Sequence, residues 1–325
     1  DIEPIQADIE QAAVLFANGQ DSAARAVLET SARAHQGASA ERLWRMLLDL
    51  VQVTGDRATF EKLAFEFAQA CETSPPTWRA AEPLVATGSA GLPVLLLQGV
   101  LAGRETGEIQ ALKAAVAKKQ ATRVDFGRLA SCDEDAAGEL VDVLRLARKH
   151  HVDLVVDNVA VLAERLEKRM VMGQAESPRA WLLLLELYQR LGQQQAFEDK
   201  AIEYAVTFEV SPPSWEVVKQ HGKANRPAEP AAPPAAEDAF YLSGELKNCR
   251  FEELRAYLDL HDRPVVDFSR VKRMDFFSAG LLCNTLEPFP RQGKEIVIRN
   301  PHHLVAELMG IVGLNGVARI IVPKI

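Results

Sequence analysis

The chain has 325 residues and a formal net charge of −8, with hydrophobic residues at 48% and charged residues at 25%. That balance suits a folded protein with room for two or three domains, each with its own core. The excess of carboxylates argues against general binding to a phosphate backbone, so no nucleic-acid partner is expected. No run approaches the ~18 apolar residues of a membrane span, and the longest apolar stretch, Leu92–Leu101, is interrupted at Gln98-Gly99. Direct membrane insertion is therefore not expected.

No charged start followed by an apolar signal core is visible. The chain opens at Asp1 rather than Met, which is compatible with an upstream segment having been removed. Cys71, Cys132, Cys249 and Cys283 lie far apart without C-x-x-C spacing. They read as small buried hydrophobes in a reducing cytoplasm.

Taken in order, Ile5–Ala17 and Ser22–Ala34 around Asn18-Gly19 predict a first helical hairpin. Leu43, Met46, Leu47 and Leu50, then Phe60, Leu63, Ala64 and Phe67, predict a second, with Gly55 at its turn and Pro75-Pro76 ending it. This second hairpin recurs. Residues 38–78 align without a gap on residues 175–215, with identities at 18 of 41 positions. Both copies close on Ser-Pro-Pro-x-Trp, at Trp78 and Trp215. Such matching reads as a duplication. The hairpins resemble tetratricopeptide-like helix pairs without that family's full signature. The two tryptophans are expected to pack the hairpin against its neighbour rather than read a peptide.

After the first copy, strands at Val94–Val100, Thr122–Phe126 and Val152–Val156 alternate with helices at Ile109–Lys118, Glu134–Lys149 and Ala160–Met170. After the second, strands at Phe240–Leu242, Pro264–Phe268, Glu295–Arg299 and Ala318–Val322 alternate with helices at Phe251–Leu258, Ser278–Leu286 and His302–Val312. Strand–helix alternation predicts two α/β units, each a mixed sheet covered by helices on one face. The first lacks a final strand because Gly173 runs into the next hairpin, which reads as inserted at that unit's edge. Weaker matches link the two units: Val124-Asp125-Phe126 with Val266-Asp267-Phe268, and Asp133…Ala136-Ala137-Gly138 with Asp275…Ser278-Ala279-Gly280. Between the halves, Lys223–Asp238 holds four prolines and six alanines in sixteen residues, a linker composition.

The most informative stretch is Val265–Leu282, VVDFSRVKRMDFFSAGLL. A short apolar strand leads through Asp275 to Phe276-Phe277-Ser278-Ala279-Gly280 and into an apolar helix. It resembles the core motif of the STAS domain (sulfate transporter and anti-sigma-factor antagonist), in which a strand, an Asp, a small or hydroxyl pair and a Gly lead into a helix. The expected fold class is therefore α/β plus all-α, with two STAS-like mixed-sheet units combined with duplicated antiparallel hairpins. The expected boundaries are residues 1–78 for helical hairpins and 79–173 for a degenerate first STAS-like domain. Residues 174–215 make the second hairpin, 216–238 the linker, and 239–325 the second STAS-like domain.

In that family the resemblance implies a phospho-acceptor hydroxyl at the turn, here Ser278, at a helix N-terminus suited to an anion. Against it stands a plain N-cap role for Ser278. The family's modified hydroxyl directly precedes the Gly, where this chain has Ala279. The matching turn around Asp133, Ala136, Ala137 and Gly138 has no hydroxyl at all. Asp275 and Asp133 are expected to bond local backbone N–H groups. Of Phe276 and Phe277, at least one is expected in the core.

His150-His151 and His302-His303 read as surface or cap positions, because adjacent residues diverge too far to chelate one metal. No catalytic signature is present, so no enzyme, metal or cofactor is expected. The reading is a bacterial, non-catalytic interaction scaffold or regulator. Its partners are proteins, a kinase or sigma-regulatory protein among them, with self-association through the STAS-like units. One alternative is a phospho-regulated anti-sigma-factor antagonist. Another, also implied by the resemblance, is an accessory subunit of a membrane lipid transporter complex.

Overall fold

The computed structural model describes residues 2–80, 82–87, 93–217 and 239–323. The expected Pro/Ala-rich linker falls almost wholly outside them. In chain order the elements begin with four helices, α1 (Ile2–Ala17), α2 (Asp21–Ala34), α3 (Ala38–Thr54) and α4 (Arg57–Ala70). Next come β1 (Val85–Thr87), β2 (Pro93–Ala102), α5 (Gly107–Ala117), β3 (Thr122–Cys132), α6 (Glu134–Lys149), β4 (Leu154–Asp157) and α7 (Val159–Glu167). The second hairpin is α8 (Pro178–Leu191) and α9 (Gln194–Phe208). The chain closes with β5 (Ala239–Leu246), α10 (Glu252–Leu260), β6 (Val265–Met274), α11 (Phe276–Leu286), α12 (Pro288–Arg291), β7 (Val297–Arg299), α13 (His303–Ile311), a 3₁₀ turn at Leu314–Gly316 and β8 (Arg319–Ile321).

Two compact units result. Unit 1 joins residues 1–81 to 238–325, and unit 2 is 82–237. The hairpin that precedes the first α/β layer in sequence thus belongs with the other one, the C-terminal layer. In unit 1 the strands run β5-β6-β7-β8, every neighbour parallel. The expectation of a mixed sheet fails there, because each strand is followed by a helix that carries the chain back, and parallel pairing follows. In unit 2, β2-β3-β4 are parallel and only β1, unforeseen from the sequence, adds an antiparallel partner to the start of β2.

Each layer's two long strands bulge at the same place. The register shifts at Gly99 between β2 and β3, and at Gly244 between β5 and β6. Both glycines have positive φ, 66° and 89°, which a side chain would resist. The strands run longer than the apolar runs suggest, β6 reaching Met274 and β3 reaching Cys132. Parallel pairing continues through polar residues such as Arg270, which the apolar pattern alone does not capture.

The hairpins form as the periodicity predicts. Gly55 and Gly192 cap α3 and α8 in the left-handed conformation, φ 79° and 68°. Trp78 and Trp215 turn back onto their own hairpins, edge-on to Phe60 and Phe197 with centroids 5.3 Å apart in both cases. Gln52 bonds the backbone of Arg79, and Gln189 bonds the backbone of Glu216 in the same way. The tryptophans therefore close the hairpin's own end. α3 and α8 are buried on nearly all sides, α8 between α9, α6 and α7, and α3 between α2, α4 and α13.

Candidate functional site

The turn from β6 into α11 is organised by Asp275. Its N–H donates to Leu246 O (3.0 Å), closing it on the end of β5. Its carboxylate accepts from Ser278 N at 2.7 Å and Asn248 N at 3.1 Å. Asp275 is thus the N-cap of α11 and also ties down the β5–α10 loop. Ser278, expected as the cap, lies one turn inside the helix. It is 0% exposed, and its Oγ accepts the N–H of Cys249 at 3.0 Å. A phosphoryl donor reaches that oxygen only if the turn first opens.

Phe276 and Phe277 open α11, and neither enters the core: they are 48% and 57% exposed. The expectation of one buried phenylalanine fails because Ser278 and Ala279, both 0% exposed, take the inward positions. Two adjacent aromatics on the surface, at a helix start, are an apolar patch without an internal partner. Gly280 follows, with open space on its Cβ side.

The β3–α6 turn of unit 2 repeats the frame. Asp133 N donates to Leu101 O at 3.0 Å, and its carboxylate accepts from Ala136 N at 2.8 Å and Gly103 N at 2.9 Å. Burial holds the Asp133 carboxyl above the usual carboxylate range, although those two backbone bonds oppose the shift. Ala136, Ala137 and Gly138 are all buried. What differs is the cover. The first turn of α8 lies on this end of α6: Arg179 N donates to Glu134 at 3.0 Å, and the Arg179 guanidinium reaches Asp135 at 3.5 Å. Burial also raises the Glu134 carboxyl, against Arg179. A Cβ on Gly138 would stand 2.7 Å from Arg179 Cδ.

The remaining sequence candidates disperse. His302 caps α13, one of the two placements expected of it, and is part-buried. Its Nε2 bonds Lys272 O at 2.8 Å, and its ring lies edge-on to Phe16. Burial pushes its pKa below the ordinary histidine value, against the pull of Asp49. His303 bonds Asp49 through both its backbone N–H and Nδ1, at 2.6 Å. Beside them Arg273 pairs with Asp21 at 2.7 Å and bonds Phe16 O. These are seams between the hairpins and the α/β layer of unit 1. The sequence carried no motif for them, because partners like Arg273 and Asp21 lie at opposite ends of the chain.

Among the described residues no cluster of three or more His, Cys, Asp or Glu could hold a metal ion. No described helix is long and apolar enough to cross a membrane. Burial raises the Cys71 and Cys283 thiols, which leaves them poor nucleophiles.

Residues 234–323 match the family described as "Mlab, STAS domain". The chain therefore carries a STAS domain over the C-terminal α/β layer, and the Asp275 turn with α11 lies inside it. No curated protein and no solved structure matches the chain.

Proposed function

We propose that this chain is a non-catalytic interaction scaffold whose STAS domain docks a helix of another protein along α11, across Phe276, Phe277 and Gly280. The observation that supports the reading is the contrast between the two glycines. Gly138 of α6 is pressed by Arg179 of α8, whereas Gly280, at the matching place on α11, faces open space. In unit 2 the first turn of α8 lies against α6, and among the described residues nothing lies against Gly280 at the matching place on α11.

The surface also says what would fit. Where α6 offers Glu134 and Asp135 to an arginine, α11 offers Phe276 and Phe277, which call for apolar side chains. Where α6 places Arg145 against Glu186, the aligned Glu287, just past the end of α11, is already paired with Arg291 at 2.9 Å. A helix like α8 would bring its arginine onto two phenylalanines, with neither of the carboxylates that Arg179 meets on α6. The loss of the two carboxylate partners disfavours that pairing. The occupant is therefore read as a helix of a different protein, apolar in its first turn.

On this reading the first α/β layer is a second, degenerate STAS-like unit, and the α3–α4 and α8–α9 hairpins are tetratricopeptide-like duplicates. The recurrence of the Asp133 and Asp275 hydrogen bonds, the Gly99 and Gly244 bulges and the Trp78 and Trp215 closures supports common descent. The phospho-regulated antagonist reading fits less well with Ser278 enclosed and hydrogen-bonded. The transporter-accessory reading differs from the first only in the identity of the partner.

Affinity purification from native extract tests the proposal, comparing the wild type with Phe276→Ser/Phe277→Ser and with Gly280→Arg. A partner retained by the wild type and lost from both folded variants supports docking on α11, and its identity separates regulator from transporter subunit. Equal recovery by all three contradicts it.

A further inference from the structure

Unit 2 contains a cleft of about 430 Å³ lined by Val85 of β1, Pro93 and Leu95 of β2, Ala111 and Ala115 of α5, and the Gln120–Thr122 approach to β3. Its volume lies in the range of small-molecule sites, and its walls are mostly apolar. Unit 1 shows what such a space holds. From Ile109–Phe126 to Phe251–Phe268 the two layers align without a gap, and their buried residues coincide: Ile109, Leu112 and Val116 with Phe251, Leu254 and Leu258. On that alignment Ala115 stands where unit 1 has Tyr257, and by strand register Leu95, opposite Val124, stands where unit 1 has Phe240, opposite Val266.

In unit 1 these side chains fill the space between helix and sheet. The Tyr257 ring packs on Phe240 with centroids 5.4 Å apart and stacks on His261 at 4.1 Å. Its hydroxyl reaches the main chain of Val265, at 3.3 Å from N and 3.4 Å from O. In unit 2 one ring has become a methyl group and the other an isobutyl group. The strand β1 adds Val85 as a further wall. The aligned positions thus carry smaller side chains in unit 2, between a helix and a sheet that align with those of unit 1.

We propose that this cleft is a binding site for a small free aromatic molecule, a monocyclic phenol or alkylbenzene, seated as Tyr257 is seated in unit 1. The ring would lie on Leu95 and Ala115, and a phenolic hydroxyl would point to the Gln120–Thr122 end of the cleft, just before Arg123, the counterpart of Val265. The site lies in the other unit from the α11 surface, and it stands or falls separately from that proposal.

The test uses p-cresol, the tyrosine side chain as a free molecule, titrated into the full chain and followed by methyl NMR. The expected result is saturable shifts at Val85 and Leu95, with a dissociation constant of about 1 mM or tighter. Ala115→Tyr should refill the cleft and weaken p-cresol binding by at least about tenfold, with a raised melting temperature. Should that variant misfold, Ala115→Leu blocks the same ring position with a smaller side chain and should also weaken binding. Toluene in place of p-cresol should bind more weakly, because it lacks the hydroxyl. Absence of saturable p-cresol binding to the wild type overturns the proposal, as does undiminished binding to a folded Ala115→Tyr or Ala115→Leu protein.

Discussion

Asp49 of α3 and Glu186 of α8 hold the same place in hairpins that align at an offset of 137 residues, yet they grip different helices. Asp49 takes His303 of α13 at 2.6 Å. Glu186 takes Arg145 and Arg148 of α6, at 3.0 and 2.5 Å. The arginines seven residues earlier diverge in step, Arg42 pairing with Glu307 of α13 and Arg179 with Glu134 and Asp135 of α6. One hairpin face thus meets α13 of the STAS domain in unit 1 and α6 in unit 2. In unit 1 that face lies on α13, and among the described residues Gly280 of α11 faces open space.

The seam of unit 2 depends on Glu186, which is buried and serves two guanidiniums. Glu186→Ala leaves Arg148 partly buried with only the exposed Glu216 beside it, and should cost about 3 kcal/mol. Urea unfolding should show unit 2 melting early while unit 1 is unchanged.

The seam of unit 1 should be the acid-sensitive one. His302 has a folded pKa below its ordinary value, so the unfolded chain takes up its proton first. Stability therefore falls as pH drops below about 6.5 and goes on falling to the folded pKa. Burial works to raise the Asp49 carboxyl, but its bonds to His303 and the charge of both histidines prevail and hold it below the usual range. Its contribution is lost as pH falls through that lowered folded value. Asp133 and Glu134 have raised values and carry the opposite sign in unit 2. Between about pH 7 and 5, hydrogen exchange should quicken in α1, α3 and α13 while α6 and α8 hold.

At the capping turns, Asp275→Ala and Asp133→Ala should each cost about 1–2 kcal/mol, because two backbone N–H groups lose their acceptor. Asp275→Asn keeps an acceptor and should cost less. Thermal melts of the three variants check the order.

The two glycines should respond differently to alanine. Gly280→Ala meets open space in a helix and should stabilise by about 0.5–1 kcal/mol. Gly138→Ala must push Arg179 aside, which offsets that gain or reverses it. Chemical denaturation of both variants settles the comparison.

Ser278→Asp would force a carboxylate into a fully enclosed position, so it should unfold or strongly destabilise unit 1 rather than act as a mild mimic of phosphate. Ser278→Ala should cost only about 1 kcal/mol for the lost bond to Cys249. Circular dichroism melts distinguish the two.

Much of this was legible in the residues. Apolar spacing placed the hairpins, the Gly55 and Gly192 turns, and the alternation of strands and helices, because local periodicity and turn chemistry carry that information. Asp275 was readable as a backbone acceptor. Its capping role was not assigned, because Asp and Ser both cap helices and the register of the first turn is set by β6 running on to Met274. The exposure of Phe276 and Phe277 was hidden for a related reason: which residues face inward follows from where the helix starts. The pairing of α1–α4 with the C-terminal layer could not be read at all. Contacts such as Asp49 with His303 join residues 254 apart, and no local pattern announces them.

The central claim, a helix docked across α11, is tested most directly by photocrosslinking. A benzophenone side chain at Phe277, in the full chain within native extract, should capture one protein, and the crosslinked peptide should lie in an amphipathic helix. The same group at Leu260, an exposed position on α10, should not capture it, and Gly280→Arg should abolish the adduct. A spread of unrelated adducts at Phe277, or an adduct that persists in a folded Gly280→Arg protein, would contradict the account.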